Sequence, residues 1–422
     1  ERLTQGSTDL EFGPEPLHRA SQMYVEEILK SELDSNEIVD MRFGWRLNSF
    51  KQSKDKVIAE IENLDSGLVE NINCGYLIGC DGGQSTVRKS LGIEYSGKGG
   101  EEIDFMIGRM LSIYFEAPDL YKVMKTDAPW QFHSMNSEGR ASIVALNGKG
   151  KFLTWAKLEV GDSIEALDLK SYITRVIGEE IPIKVLSSLP WQAGLSLVAD
   201  AYQDRRVLLA GDAVHLFTPT GGFGMNTGIG DTENLGWKLA ACYQGWAGEN
   251  LIGSYEIERR PIAVRNLAQS YALAKAKSSL TVPSNIEDNT SEGRKVRAKF
   301  GAEIAEALKE EYFCLGIQLG ARYDLSPLIN TEDHPPPESS PFEYLATSHP
   351  GGRAPHAWFE DGTALFDHFG KDFTLLCLNS SDSSCAQFIN SADKRGVPVE
   401  VKEILTKEIF ELYQSNFVLV RP

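Results

Sequence analysis

Apolar positions along this chain change their period several times, and the changes mark its segments. Residues 21–33 place Val25, Ile28 and Leu29 on one helical face, after an irregular stretch broken by Gly6, Gly13, Pro14 and Pro16. Residues 41–47, 49–52, 57–63 and 75–79 read as strands, with polar connections at 51–56 and 64–73, and form a small meander ending in a buried strand. β-Branched and aromatic stretches at 110–115, 131–135, 141–145 and 152–158 predict an antiparallel sheet, followed by a helix over 164–177. The apolar run 207–210 predicts a second buried strand, and 226–244 and 251–274 predict long helices. A Pro-rich passage at 334–341 precedes a C-terminal block with strands at 374–378 and 397–404. The fold class is therefore mixed, α/β and α+β, with units expected at 1–100, 101–200, 201–349 and 350–422.

Charge narrows the partners. A net charge of -18 over 422 residues, with a pI near 4.9, argues against nucleic acid and against an anionic membrane surface, since either would be repelled at long range. No apolar run approaches the roughly 18 residues of a membrane span. The six cysteines, Cys74, Cys80, Cys242, Cys314, Cys377 and Cys385, form no C-x-x-C, so neither a disulfide framework nor a metal site is expected. A reducing, cytoplasmic setting follows as the default. The chain opens at Glu1 rather than Met, so the absence of a signal peptide adds little.

Two segments carry the chemistry. Arg206-Val207-Leu208-Leu209-Ala210-Gly211-Asp212-Ala213-Val214-His215 runs from a buried strand into an Asp, and continues through Pro219-Thr220-Gly221-Gly222-Phe223-Gly224-Met225-Asn226 into a helix. Glycines there permit close approach of backbone to a flat or phosphorylated ligand, and a helix start presents free N–H groups with partial positive charge. Read alone, Gly221, Gly222 and Gly224 would merely shape a turn. The second segment, Leu77-Ile78-Gly79-Cys80-Asp81-Gly82-Gly83-Gln84-Ser85-Thr86-Val87-Arg88, repeats the strand–Asp–Gly–helix junction, and two such junctions in one chain point to a cofactor.

These segments resemble the GD and DG motifs of the FAD-dependent aromatic hydroxylases typified by para-hydroxybenzoate hydroxylase and phenol hydroxylase. The likeness is strongest to phenol and polyketide hydroxylases with a thioredoxin-like tail. It extends to Arg19-Ala20-Ser21-Gln22, to Asn234-Leu235-Gly236-Trp237-Lys238-Leu239, and to Tyr255 with Glu258-Arg259-Arg260-Pro261. It implies a partial Rossmann-like FAD-binding domain, an antiparallel-sheet substrate domain and a thioredoxin-like C-terminal domain. It also implies FAD as cofactor, NADPH or NADH as co-substrate, and a flavin C4a-hydroperoxide that hydroxylates a phenolic or polyketide ring.

Residue by residue, the resemblance makes Asp212 the acceptor for the FAD ribityl hydroxyls and lays 221–226 along the flavin. The N–H groups of Gly224, Met225 and Asn226 would face the flavin's pyrimidine edge, with Pro219 beside the reactive edge. Arg19 and Gln22 would contact the pyrophosphate or ribityl region, with a plain surface role as the alternative for Arg19. Asp81 and Arg88 would serve both FAD and NAD(P)H, the alternative for Arg88 being a salt bridge, for instance to Asp81. His215 reads as a satisfied core histidine and Cys80 as core filling. Trp130, Phe132, His133, Trp155, Trp191 and Gln192 fall in the expected substrate layer, most of them read as sheet core, and no catalytic base is identified. The tail reads as structural or oligomer-forming, compatible with a homodimer, because Cys377 and Cys385 stand eight positions apart rather than as a redox pair.

The family's G-x-G-x-x-G unit, with its acidic residue for the adenosine ribose, does not precede Arg19, so the sequence is expected to be an excerpt that binds FAD poorly by itself. Two alternatives follow: a flavin-poor binding protein or cyclase for aromatic or polyketide ligands, and a different flavoenzyme such as a halogenase or epoxidase.

Overall fold

The computed structural model describes residues 12–16, 18–98, 108–124, 128–137, 139–158, 163–330, 334–378 and 383–422. The apolar run at 207–210 folds as the strand Val207–Leu209, whose residues are all fully buried, and it pairs in parallel with Leu77–Gly79. Parallel pairing brings the two Asp/Gly turns that follow these strands to the same sheet edge. A Cβ on Gly79 would lie 2.8 Å from atoms of Leu209 and of Val87, so this strand end packs only without a side chain. Tyr202, Val214, Leu235 and Tyr255 close the core around the pair.

A five-stranded antiparallel sheet has the order Lys184–Ala193, Gly108–Glu116, Lys151–Lys157, Gly139–Ala145 and Gln131–Asn136. One face buries Leu111, Ile113, Phe115, Phe132, Ile143 and Phe152, with Ile173 and Val176 of the helix Leu169–Ile177 in the same cluster. That helix is capped by the Asp168 carboxylate, which accepts the Ser171 N–H, and ends at Gly178 in the left-handed region. The strand Lys184–Ala193 escaped the sequence reading. Ser187 and Ser188 interrupt its apolar pattern, and Pro190 is tolerated because the strand lies at the sheet's edge.

Elsewhere the meander differs from expectation in its boundaries. Trp45–Gln52 is one strand with a register shift between Leu47 and Ser49, and the polar connection 64–73 contains most of the strand Val69–Cys74. Its Glu70, Asn71 and Asn73 sit on an exposed sheet edge, where polarity is compatible with strand structure. The helix Gln22–Asp34 forms, but none of its residues is buried, and Ile28 and Leu29 are 69% and 58% exposed. The expected apolar face is present without a cover among the described residues.

Two long helices, Phe223–Gln244 and Glu249–Ser278, pack against the parallel pair. Their contact is partly polar: Thr227, Asp231, Asn234 and Lys238 on the first are buried, as are Glu258, Arg259, Asn266 and Ser270 on the second. The helix Ser291–Tyr312, which the sequence reading omitted, is highly charged and buries only Gly293 and Phe300.

In the tail, Phe373–Cys377 pairs in parallel with Val399–Glu403 and antiparallel with Phe417–Val420. The last strand follows the helix Lys407–Tyr413. A further correction concerns Cys377 and Cys385, which form a disulfide. The strand end and the start of the helix Ser383–Asp393 pass side by side, and eight residues suffice for the two sulfurs to meet.

Arg421 fastens the tail. Its guanidinium donates to the fully buried Glu258 at 2.6 Å and lies 5.6 Å from the Trp237 ring centre. Phe373 meets Trp237 and Trp246 edge-on at 6.0 and 6.2 Å. Glu258 also accepts from Lys238 and Asn234, each at 2.7 Å, and from Ser326 at 2.5 Å. Burial works to raise its pKa, but Arg421 and the other donors outweigh it and hold it near 2. Arg421→Ala is therefore expected to lower stability by about 1–3 kcal/mol in thermal melts. Arg205→Ala, which removes a surface ion pair with Asp204, should leave the melt unchanged.

Candidate functional site

The turn after Leu209 lifts Asp212 onto the surface within a short 3-10 segment, Gly211–Ala213. The Asp212 carboxylate has no hydrogen-bond donor among the described residues, while its backbone carbonyl accepts the Tyr95 hydroxyl at 2.6 Å. Partial burial raises its pKa, opposed by His215. A carboxylate left without a donor among the described residues suits a polyhydroxylated ligand.

Downstream, Gly221 and Gly222 adopt φ of +87° and +67°, and the helix Phe223–Gln244 starts with no side chain capping it. A Cβ on Gly222 would meet nothing within 4 Å, and Gly222, Met225 and Asn226 are exposed with Pro219 beside them. The free N–H groups of this helix start therefore open to solvent, with the Asn226 side chain turned back onto the Gly222 carbonyl at 2.8 Å.

The second turn has a different task. Asp81 spends its oxygens on the Ser85 hydroxyl and on the N–H groups of Thr86 and Val87, at 2.5, 2.7 and 3.1 Å, and so starts the helix Thr86–Ser90. Arg88 is buried, donates to the Gly83 carbonyl at 3.1 Å and stacks 3.7 Å over the Tyr95 ring. The salt bridge to Asp81 considered as an alternative is absent among the described residues; Asp81 is already occupied by its helix. Through Tyr95 the second turn props up the first, a link the sequence reading missed. Burial pushes the Tyr95 hydroxyl up to about 12, against Arg88, so it remains a donor to Asp212 at neutral pH.

His215 is fully buried, with Nε2 2.7 Å from Asp231, and reads as structural. Asp231 also accepts the Gly211 N–H at 3.2 Å and Arg259 Nε at 2.9 Å, while Arg259 reaches the Thr227 carbonyl at 3.1 Å. A signal for Asp231 was available: Thr227, Asp231, Asn234 and Lys238 recur at spacings of four, three and four, a polar stripe on the buried side of a helix. Cys80, expected as core filling, is exposed, since it has already left the strand.

The sheet face turned away from the helix Leu169–Ile177 carries His133 and Trp155, with Met110, Ser142 and Val144 buried on it. Pairing sets His133 opposite Ser142, and His133 Nδ1 lies 3.0 Å from the Ser142 hydroxyl. Phe132 of the same layer points the other way into the helix-covered core, in keeping with the core reading and as alternation along a strand requires. Trp155 pairs with Ser112 on the His133 side, and Trp191 pairs with Met110 next to it. The Gln192 side chain lies outside the described residues. Arg19 lies 3.6 Å over the Trp130 ring and Tyr312 donates to Gln131 at 3.0 Å, while Gln22 only bonds Glu26 on its own helix. Arg19 thus sits beside the sheet, and Gln22 remains a surface residue. Among the described residues no three His, Cys, Asp or Glu side chains gather as a metal site.

Burial lowers the His133 pKa to about 4, reinforced by the Lys277 ammonium and opposed by the Glu311 carboxylate. The folded protein thus binds fewer protons than the unfolded chain between the ordinary value and about 4, and stability is expected to fall as pH drops through that window. His133→Asn should flatten this loss in pH-dependent melts. Lys277→Met should raise the His133 titration midpoint and Glu311→Gln should lower it, as read by imidazole proton resonances.

The FAD binding domain family matches residues 2–270. The FAD-dependent monooxygenase opdD of Penicillium oxalicum is 31% identical over 97% of this chain and 81% of its own. Among solved structures, RebC soaked with chromopyrrolic acid and holding 7-carboxy-K252c aligns with a TM-score of 0.86 at 33% identity, covering 98% of this chain and 75% of that one. The monooxygenase PieE in complex with FAD and substrate gives 0.86 at 25% identity, covering 98% and 77%. With the matched domain spanning well over half the chain, and a relative above 30% identity aligned along nearly all of it, the chain belongs to the FAD binding domain family and is an FAD-dependent monooxygenase.

Proposed function

We propose that this monooxygenase hydroxylates a phenolic or polyketide aromatic ring, with NAD(P)H as reductant and O2 as oxidant. One observation carries the reading: a carboxylate at Asp212 without a donor among the described residues and an uncapped helix start at Gly222 belong to one strand–loop–helix segment, which Glu311, Lys277 and Tyr312 connect to the sheet bearing His133, Trp155 and Trp191. The residues fit FAD in kind. Asp212 would accept the ribityl hydroxyls, and the N–H groups of Gly224, Met225 and Asn226 would meet the flavin edge that becomes negative on reduction. Pro219 and the two glycines would let the ring lie against backbone. When bound, FAD supplies the redox chemistry with O2; the chain's own residues orient the ring, exclude water and hold the substrate.

Asp81 and Arg88 are assigned a supporting part, since Asp81 is committed to its helix and Arg88 to Tyr95. Arg19 is assigned to the wall of the substrate side, over Trp130. The tail, with a parallel and an antiparallel partner flanking its central strand, is proposed as thioredoxin-like and structural.

In the full chain, Asp212→Ala is expected to weaken FAD binding at least about tenfold, roughly 1.4 kcal/mol, in a flavin titration. Equal affinity would remove Asp212 from the site. For the reaction, substrate-stimulated NAD(P)H oxidation with a product one oxygen atom heavier by mass spectrometry is expected from a panel of phenols and aromatic polyketides. An FAD-loaded protein whose NAD(P)H oxidation no aromatic compound stimulates would overturn the hydroxylase reading.

A further inference from the structure

The Gly-rich loop is held from a distant part of the chain. Glu311, in the last turn of the helix Ser291–Tyr312, accepts the Gly221 N–H at 3.1 Å. Its other oxygen meets the Lys277 ammonium, and the two side chains are 11% and 10% exposed. Lys277 stands at the end of the helix Glu249–Ser278, and its carbonyl accepts from Arg140 of the five-stranded sheet. The next residue, Tyr312, reaches the same sheet at Gln131. Apolar packing supports the arrangement independently: Phe223 and Phe217, on either side of the loop, cluster with Leu273, Cys314 and Ile317.

We propose that Glu311 is the positioning residue of the flavin loop, fixing it at Gly221 and, through Lys277 and Tyr312, joining it to the sheet face that carries His133. A carboxylate accepting a peptide N–H makes a stronger bond than a neutral acceptor, and its loss leaves a part-buried donor unpaired. Gly221 cannot compensate by changing residue type, because at φ +87° a Cβ would lie 2.6 Å from the Phe223 ring. One buried ion pair therefore sets the distance between the loop assigned to the flavin and the surface assigned to the substrate. The geometry stands by itself, whereas its consequence for cofactor binding rests on the functional reading above.

The test combines amide hydrogen exchange of residues 219–225 in the full chain, with and without FAD, and an FAD titration. Glu311→Ala is expected to speed exchange in this stretch, and to weaken FAD binding, each by at least about tenfold. Glu311→Gln keeps an amide oxygen for Gly221 but breaks the ion pair with Lys277, and should speed exchange and weaken FAD binding by less than Glu311→Ala yet by at least about threefold. A folded Glu311→Ala protein with wild-type exchange overturns the inference, as does faster exchange with unaltered FAD affinity. Should Glu311→Ala not fold, Glu311→Gln decides: wild-type exchange across residues 219–225 in that variant overturns the proposal. Wild-type protein that takes up no FAD would sink the functional reading, while the exchange rates still judge the role of Glu311.

Discussion

The Asp231 carboxylate, fully buried, is the interaction on which the rest depends. Its three donors come from three places: the Gly211 N–H beside Asp212, the His215 ring, and the Arg259 guanidinium on the neighbouring helix. Burying a carboxylate is costly unless its lone pairs are filled, and here they are filled by the elements the site must hold in register. Burial would lower the Arg259 pKa, but Tyr323 and Asp231 outweigh it and hold it above its ordinary value. The guanidinium therefore keeps its charge opposite Asp231. A Cβ added at Gly230 would lie 2.7 Å from Arg259, which explains a helix position open only to glycine.

From that centre a polar seam runs in both directions between the two long helices. Toward the loop, Thr227 receives Asn266 at 3.1 Å, and Thr218 is hydrogen-bonded to the Ser270 carbonyl at 3.1 Å. Toward the tail, Lys238 and Asn234 converge on Glu258, where Arg421 arrives from the far end of the sequence. Burial lowers the Lys238 pKa to about 8, against the pull of Glu258. Such a seam adds little net stability compared with apolar packing, but it admits only one register of the helices. Register matters here because one helix start forms the proposed flavin surface and the other helix supplies Lys277.

Much of this was legible in the sequence. The strand–Asp–Gly junctions are local patterns, so Asp81, Asp212 and the 219–226 loop could be read directly, and the long helices followed from their period. What escaped reading depends on partners remote in sequence. Glu311 is one acid among several in a charged helix, and only folding brings it to Gly221, 90 residues away. Arg88 had a cofactor contact or a salt bridge as its two readings, and neither anticipates Tyr95, which engages it from the next strand. Phe132 was placed in the substrate layer because residue type does not reveal which sheet face it occupies. The pairing of Cys377 with Cys385 was missed for a related reason: spacing alone does not show a strand end passing a helix start.

The most direct measurement is the isosteric change Asp231→Asn in the full chain, followed by thermal melting and FAD titration on the same preparation. Asparagine keeps the shape but removes the charge opposite Arg259 and turns a donor toward one of three existing donors, a loss of about 3–5 kcal/mol for a broken buried pair. The account predicts that melting temperature and FAD affinity fall together, because one carboxylate holds both the fold and the loop. A variant that melts and binds FAD like the wild type would contradict it.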